Sequence, residues 1–187
     1  MKERLVKGTN LVEVVRLLRS HQHTRPLPEM GAWEQDLLRK RVAPSTWYSL
    51  NVFDSLLQIA HRFVFDGSES AAQAMGRRFA MSTLSAGNAI PIFSGDPLGT
   101  LQGFPERWRL YFNFGALTVQ PWQAASGEDG AQLQVTGYPD MSACHGHCII
   151  GWTLQIAETA GAQNMTLLVE ERPWMHNSVL TFCVAWR

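Results

Sequence analysis

The sequence predicts an α+β domain in which an N-terminal helical layer packs on an antiparallel sheet built as hairpin-helix-hairpin. Three observations lead there. Apolar residues recur at helical spacing through the first 113 residues, the repeat drops to two beyond Gly115, and a helical stretch over 142–160 separates two pairs of alternating segments. With 187 residues, 45% of them hydrophobic, the chain is long enough to bury a core and reads as one domain, 1–187: mainly helical over 1–113 and β-β-α-β-β over 114–187.

Asn10, with Glu13 three residues on, resembles a capping box, and Leu11, Val14, Val15 and Leu18 follow at i, i+3, i+4 and i+7, so the first helix starts there. Pro26 and Pro28 enforce an extended passage, and a weaker helical piece over 33–40 stops near Ala43-Pro44. The next helix carries Phe53, Leu56, Leu57, Ala60 and Val64 on one stripe and is expected to be the most buried. Asp66-Gly67-Ser68 ends it, and Ser68 caps a third helix with Ala72, Met75, Gly76 and Phe79 inward, Gly76 permitting close packing. Residues 86–104 mix glycines and prolines with Ile90, Ile92, Phe93 and Leu98, too broken for a regular element and too apolar for a solvated linker; this is the candidate lid. Pro105 then opens a short helix with Phe104, Trp108, Tyr111 and Phe112 on one face.

Beyond Gly115, Leu117 and Val119 alternate with polar neighbours, as do Leu133 and Val135, which describes a hairpin turning through 126–130. Ile149, Trp152, Ile156 and Ala160 then mark a helix, with Gly161 at its stop. A second hairpin over 165–170 and 178–186 closes the chain. Its last strand sets Leu180, Phe182, Val184 and Trp186 on one face and is expected to be central or well protected.

Sixteen basic and sixteen acidic side chains give zero net charge, which removes the basic field expected of a nucleic-acid binder. No apolar run is long enough to span a membrane, and the opening residues lack the pattern of a signal peptide, so a cytoplasmic chain is expected. Three cysteines are too few for a disulfide framework and agree with a reducing compartment. Nucleophile-elbow, phosphate-loop, dinucleotide and zinc-protease motifs are absent and no carboxylate pair stands out, so catalysis finds no support.

Two regions could carry chemistry. Cys144-His145-Gly146-His147-Cys148 supplies thiol and imidazole ligands of the kind zinc takes, and on a helix Cys144 and Cys148 lie one turn apart with His145 on the apolar stripe. Cys183 would complete the set, although alternation turns it away from the large apolar residues of its strand. The competing reading packs the two cysteines as small hydrophobes and leaves both histidines in solvent. Elsewhere, Phe93, Phe104, Trp108 and Phe112, with Trp152, are candidates to line an apolar ligand pocket, against the plainer reading that they form core.

Val6-Lys7-Gly8-Thr9, Pro44-Ser45-Thr46-Trp47-Tyr48, Met75-Gly76-Arg77-Arg78-Phe79 and the closing strand ending at Trp186 together resemble an uncharacterised family of small myxobacterial paralogues. The second half, in which Cys144 and Cys148 lead into Gly151-Trp152 and Cys183 lies in the final hairpin, is similar to the 4-vinyl reductase domain, of one superfamily with haem-NO-binding sensors and Golgi-transport tethering subunits. The resemblance implies an α+β ligand-binding fold, often dimeric, that holds a small hydrophobic molecule and reports it to a partner. It further implies zinc on cysteines in some members, loosely matched by Cys144, Cys148 and Cys183. For haem it implies a proximal histidine, to which neither His61 nor His145 aligns.

The expectation is therefore a non-catalytic cytoplasmic sensor or adaptor for a small hydrophobic ligand, acting as a homodimer or through a signalling partner, without nucleic acid or a membrane span. It has no expected cofactor, with zinc as the exception. The alternatives are an interaction module without ligand and a zinc-regulated protein or metalloenzyme built on the Cys144/Cys148 cluster.

Overall fold

The computed structural model describes residues 3–85 and 91–187. A short strand β1 (Leu5–Lys7) leads into α1 (Gly8–Gln22) and α2 (Ala32–Arg39). A second short strand β2 (Trp47–Ser49) precedes α3 (Leu50–Phe63), α4 (Glu69–Ser85), α5 (Pro97–Gln102) and α6 (Phe104–Tyr111). Then come β3 (Ala116–Gln123), β4 (Asp129–Thr136), α7 (Ala143–Thr159), β5 (Thr166–Glu171), a 3-10 turn (Pro173–Met175) and β6 (Leu180–Trp186). The α+β class and the hairpin-helix-hairpin order of the second half follow the sequence expectation.

The four-stranded sheet runs β3-β4-β6-β5, antiparallel throughout, with Leu133 opposite Phe182 and Val135 opposite Leu180. β6 is therefore interior, as its alternation requires. Cys183 and Ala185 are buried as well, so both faces of this strand are covered. β1 and β2 form a separate two-stranded sheet that the sequence did not reveal.

That small sheet changes how α1 begins. The helix starts at Gly8, two residues before Asn10, and no side chain caps it. Its first donors, the N–H groups of Gly8 and Thr9, bond instead to the carbonyls of Thr46 and Pro44, 2.8 and 3.1 Å away. Backbone oxygens of the passage into β2 thus replace the expected capping box. At α4 the expectation holds: the Ser68 hydroxyl accepts from the Ala71 N–H at 3.1 Å.

α4 and α7 pack closely because each presents a glycine to the other. A Cβ on Gly76 would collide with the carbonyl oxygen of Cys148, and one on Gly151 with that of Gln73. Arg77 of α4 joins Glu158 of α7 at 2.7 Å. At the N-terminal side of the domain, Arg4 pairs with Asp140 and lies over the rings of Phe114 and Tyr138, tying the strand start to the turn before α7. Of the candidate lid over 86–104, residues 86–90 lie outside the described residues; the remainder forms a turn and α5, which Asp96 caps through the Gly99 N–H at 2.8 Å.

Candidate functional site

A cavity of about 240 Å³ opens between α1, α4, α6 and α7, with Phe53 of α3 and Leu117 of β3 completing its lining. It lies mainly among helices and reaches the sheet only at the edge strand. Its walls are apolar because the stripes found in the sequence converge here. Phe104 of α6 meets Trp152 of α7 at 4.8 Å between ring centroids, and Trp108 stacks on Phe112 at 4.3 Å. Such contacts contribute about 0.5–1.5 kcal/mol beyond area burial. The Trp108 Nε1–H donates to the carbonyl of Phe114 at 2.9 Å, which anchors the indole. Four of the five candidate pocket residues, Phe104, Trp108, Phe112 and Trp152, line the cavity; Phe93 does not, being 53% exposed in the turn before α5. Arg16 and Arg107 place positive charge in the lining, Arg16 paired with Glu13 at 2.9 Å.

The polar centre of the cavity is His145, one turn into α7. Ser142 caps this helix, accepting from the His145 backbone N–H at 3.2 Å and donating to Asp54 of α3 at 2.6 Å. The imidazole is 3% exposed, with Phe53 edge-on at 5.2 Å and Nδ1 2.9 Å from the hydroxyl of Tyr138. Burial pushes its pKa down to about 4, while the Asp54 carboxylate pulls the other way, so the ring is neutral near pH 7. Nε2 makes no hydrogen bond among the described residues. Tyr138 was absent from the sequence reading; its only signal is a lone tyrosine in the turn between β4 and the helix cap.

Both histidines of the Cys-His-Gly-His-Cys run are buried, not solvated as the packing alternative held. His147 is as enclosed as His145, and the Glu69 carboxylate lies 3.5 Å from its Nε2. Gly146 between them leaves room for the ring of Trp174, which lies 5.0 Å from His147.

The cysteines are buried thiols. Cys144 points its Sγ at the Leu57 carbonyl at 3.8 Å, and burial pushes its pKa up to about 12. Cys148 lines the cavity, again with its pKa raised by burial. Cys183 belongs to β6, on the sheet. Among the described residues no group of three or more His, Cys, Asp or Glu could hold a metal ion, so the zinc expectation for Cys144, Cys148, Cys183 and His145 is withdrawn. The physical reason is that Cys183 lies on β6 while the others lie on α7, and that desolvation holds the thiols protonated.

No family model matches the sequence, and no curated protein matches it. Solved structures do. An unliganded Fe(II) H-NOX protein from K. algicida aligns over 97% of this chain and 96% of that chain with a TM-score of 0.62 at 13% identity. An oxygen-binding H-NOX domain related to soluble guanylate cyclases, solved as its oxygen complex, aligns over 97% and 95% with a TM-score of 0.63 at 10% identity. A structure described as showing haem redox potential modulated through protein-induced porphyrin distortion aligns over 97% and 95% with a TM-score of 0.65 at 11% identity. This chain has the H-NOX fold. Of the branches that the motifs resembled, the likeness reaches the haem-NO-binding one, and at this identity it concerns the fold.

The comparison also corrects the expectation of no cofactor: one of the matching structures is described as probing haem distortion in the H-NOX family, so haem is the cofactor this fold implies. Its fit can be tested on the donor set. An axial ligand offers iron a lone pair. The Tyr138 hydroxyl is buried and has one hydrogen-bond partner among the described residues, His145 Nδ1. Where the buried Tyr138 O–H donates to it, the Nδ1 lone pair is engaged and the ring proton sits on Nε2. Cys148, the other soft donor in the lining, is held as a thiol. In this arrangement the donor set does not fit an axial ligand: imidazole N–H, rather than an imidazole lone pair, faces the cavity.

Proposed function

We propose that this chain is a non-catalytic sensor domain that admits a small apolar ligand to the cavity between α1, α4, α6 and α7 and reports it to a protein partner. The observation that supports it is the cavity itself: about 240 Å³ of space walled by Phe104, Trp108, Phe112 and Trp152 around a single neutral imidazole. A largely apolar concavity that also presents polar side chains is the common form of a small-molecule site, and its volume lies just below the ~300 Å³ at which pockets for drug-sized ligands begin. The H-NOX likeness supports a sensing role, since one structure of this fold is an oxygen-binding domain related to guanylate cyclases. The lining supplies no activated nucleophile and no carboxylate pair, and this supports binding over catalysis. No helix among the described residues is long and apolar enough to cross a membrane. The cytoplasm is the compartment we assign, consistent with three free thiols.

Thermal melts with a panel of small aromatics, medium-chain acyl compounds and hemin, each followed by native mass spectrometry, test the reading. A 1:1 adduct with a raised melting temperature for at least one small compound is expected, about 2.7 kcal/mol of stabilisation accruing at a hundredfold excess over Kd. A panel in which nothing binds and nothing shifts the melt would overturn it.

A further inference from the structure

We propose that the cavity selects apolar ligands carrying an exposed hydrogen-bond-accepting oxygen, such as aromatic aldehydes, ketones and acyl compounds, and that His145 Nε2–H is the donor that selects them. The inference rests on the ligand-site reading above and names the chemistry of what that site takes.

Three observations meet at His145. Its ring is 3% exposed yet lines the cavity, so the part of it that remains accessible faces ligand space. Its Nδ1 lies 2.9 Å from Tyr138 Oη, and this phenol has no other hydrogen-bond partner among the described residues. Its Nε2 has none at all among the described residues. Two arrangements of the shared proton are conceivable. If Nδ1–H donated to Tyr138, the phenol proton would be left without an acceptor in a side chain that is 2% exposed. If Tyr138 donates to Nδ1, the leftover donor is Nε2–H, which opens onto the cavity and can be satisfied by whatever enters. The second arrangement leaves no sealed donor unpaired, and buried unpaired donors are what folded proteins avoid.

The remaining lining sharpens the choice. Phe53, Phe104, Trp108, Phe112 and Trp152 reward apolar bulk; Thr9, Ser82, Thr83 and Thr153 also line the cavity, and the His145→Phe variant below separates their contribution from that of the imidazole. An apolar molecule without an acceptor would leave Nε2–H unpaired against it. One with a carbonyl oxygen pairs it. Tyr138 then acts as a positioning residue: it touches no ligand, and it fixes which nitrogen carries the proton.

The probes are acetophenone and its near-isosteric hydrocarbon α-methylstyrene, titrated calorimetrically into the full chain, together with long-range 1H–15N NMR of the histidine rings. The expected result is an acetophenone affinity about tenfold above that of α-methylstyrene, the size of one net hydrogen bond. His145→Phe should bring the two affinities together while α-methylstyrene still binds. Tyr138→Phe should shrink the preference without removing binding, because Nδ1 is then free to compete for the proton. The NMR spectrum of the unliganded wild type should show Nδ1 bare and Nε2 protonated, a readout that does not depend on any variant folding. Equal affinities in the wild type would overturn the acceptor rule and leave the ligand site standing. Binding of neither probe, with none in the wider panel, would remove the ligand site as well. A bare Nε2 by NMR, or a 1:1 hemin complex whose Soret band is lost in His145→Phe, would overturn the proton assignment directly.

Discussion

Gly76 on α4 rests against the carbonyl oxygen of Cys148 on α7 with no room for a methyl group between them. One turn further along α7, Gly151 meets the Gln73 carbonyl in the same way, so the two helices touch backbone to backbone. Because Cys148 and Trp152 lie on this helix and Phe79 on its partner, the contact sets the width of the cavity.

Gly76→Ala and Gly151→Ala should therefore each destabilise the fold by roughly 1–3 kcal/mol, as overpacking does where the obstacle is backbone and cannot rotate away. That outweighs the helix propensity alanine would add at an exposed site, about 1 kcal/mol. Urea unfolding reads the balance. A midpoint that stays put or rises in both variants would show that the helices separate at little cost.

The helices and the large sheet were legible because their residues keep a strict period over several turns or alternations, as in Leu11, Val14, Val15 and Leu18, or Leu180, Phe182 and Val184. The strands β1 and β2, three residues each, are too short for any period, and so the start of α1 at Gly8 was lost with them. The aromatic walls of the cavity could be read from the stripe on α6. The chemistry around His145 could not. Its partner Tyr138 comes from a turn, its neighbour Asp54 from a helix about 90 residues earlier, and no local pattern joins the three. The metal expectation failed for a related reason: spacing along a helix brings Cys144 and Cys148 to one side but carries no information about desolvation, which decides whether a thiol becomes a ligand.

The thiols give a prediction that separates packing from coordination. Burial raises the pKa of all three cysteines, Cys144 to about 12, so little thiolate forms at pH 8. Iodoacetamide should leave Cys144, Cys148 and Cys183 unmodified in the native protein and label all three in denaturant, as mass spectrometry would show. A strong chelator should leave the melting temperature where it was. Rapid native labelling of Cys148, or a melt lowered by chelator, would contradict the packed-thiol assignment.

Ser142 ties three parts of the site together, since it caps α7, receives the His145 backbone N–H and bonds Asp54 on α3. Ser142→Ala should cost about 1–2 kcal/mol, the upper part of the range for a lost cap because the α3 contact goes with it. Ser142→Asp keeps a capping acceptor but sets a second carboxylate beside Asp54, and so should recover little of the loss. Denaturation midpoints of the two variants decide this. If Ser142→Asp is as stable as wild type, the Asp54 bond contributes nothing.

His145 makes stability depend on pH, and the sign follows from its depressed pKa. The folded protein keeps the ring neutral down to about pH 4, whereas an unfolded histidine takes up a proton near 6.5. Between those values the unfolded state binds more protons, so stability is complete above ~6.5 and declines as the pH falls toward 4. The full span corresponds to on the order of 3 kcal/mol at 1.36 kcal/mol per unit. His147 acts with the same sign, since burial lowers its pKa against the pull of Glu69. His145→Phe should therefore flatten the slope and leave the part that belongs to His147. Melts of wild type and variant at half-unit steps from pH 7.5 to pH 4.5 test it. Parallel curves for the two proteins would mean that His145 takes up its proton in the fold at the same pH as in the unfolded chain, and a ring that charges so readily would undo the proton arrangement assigned to the cavity.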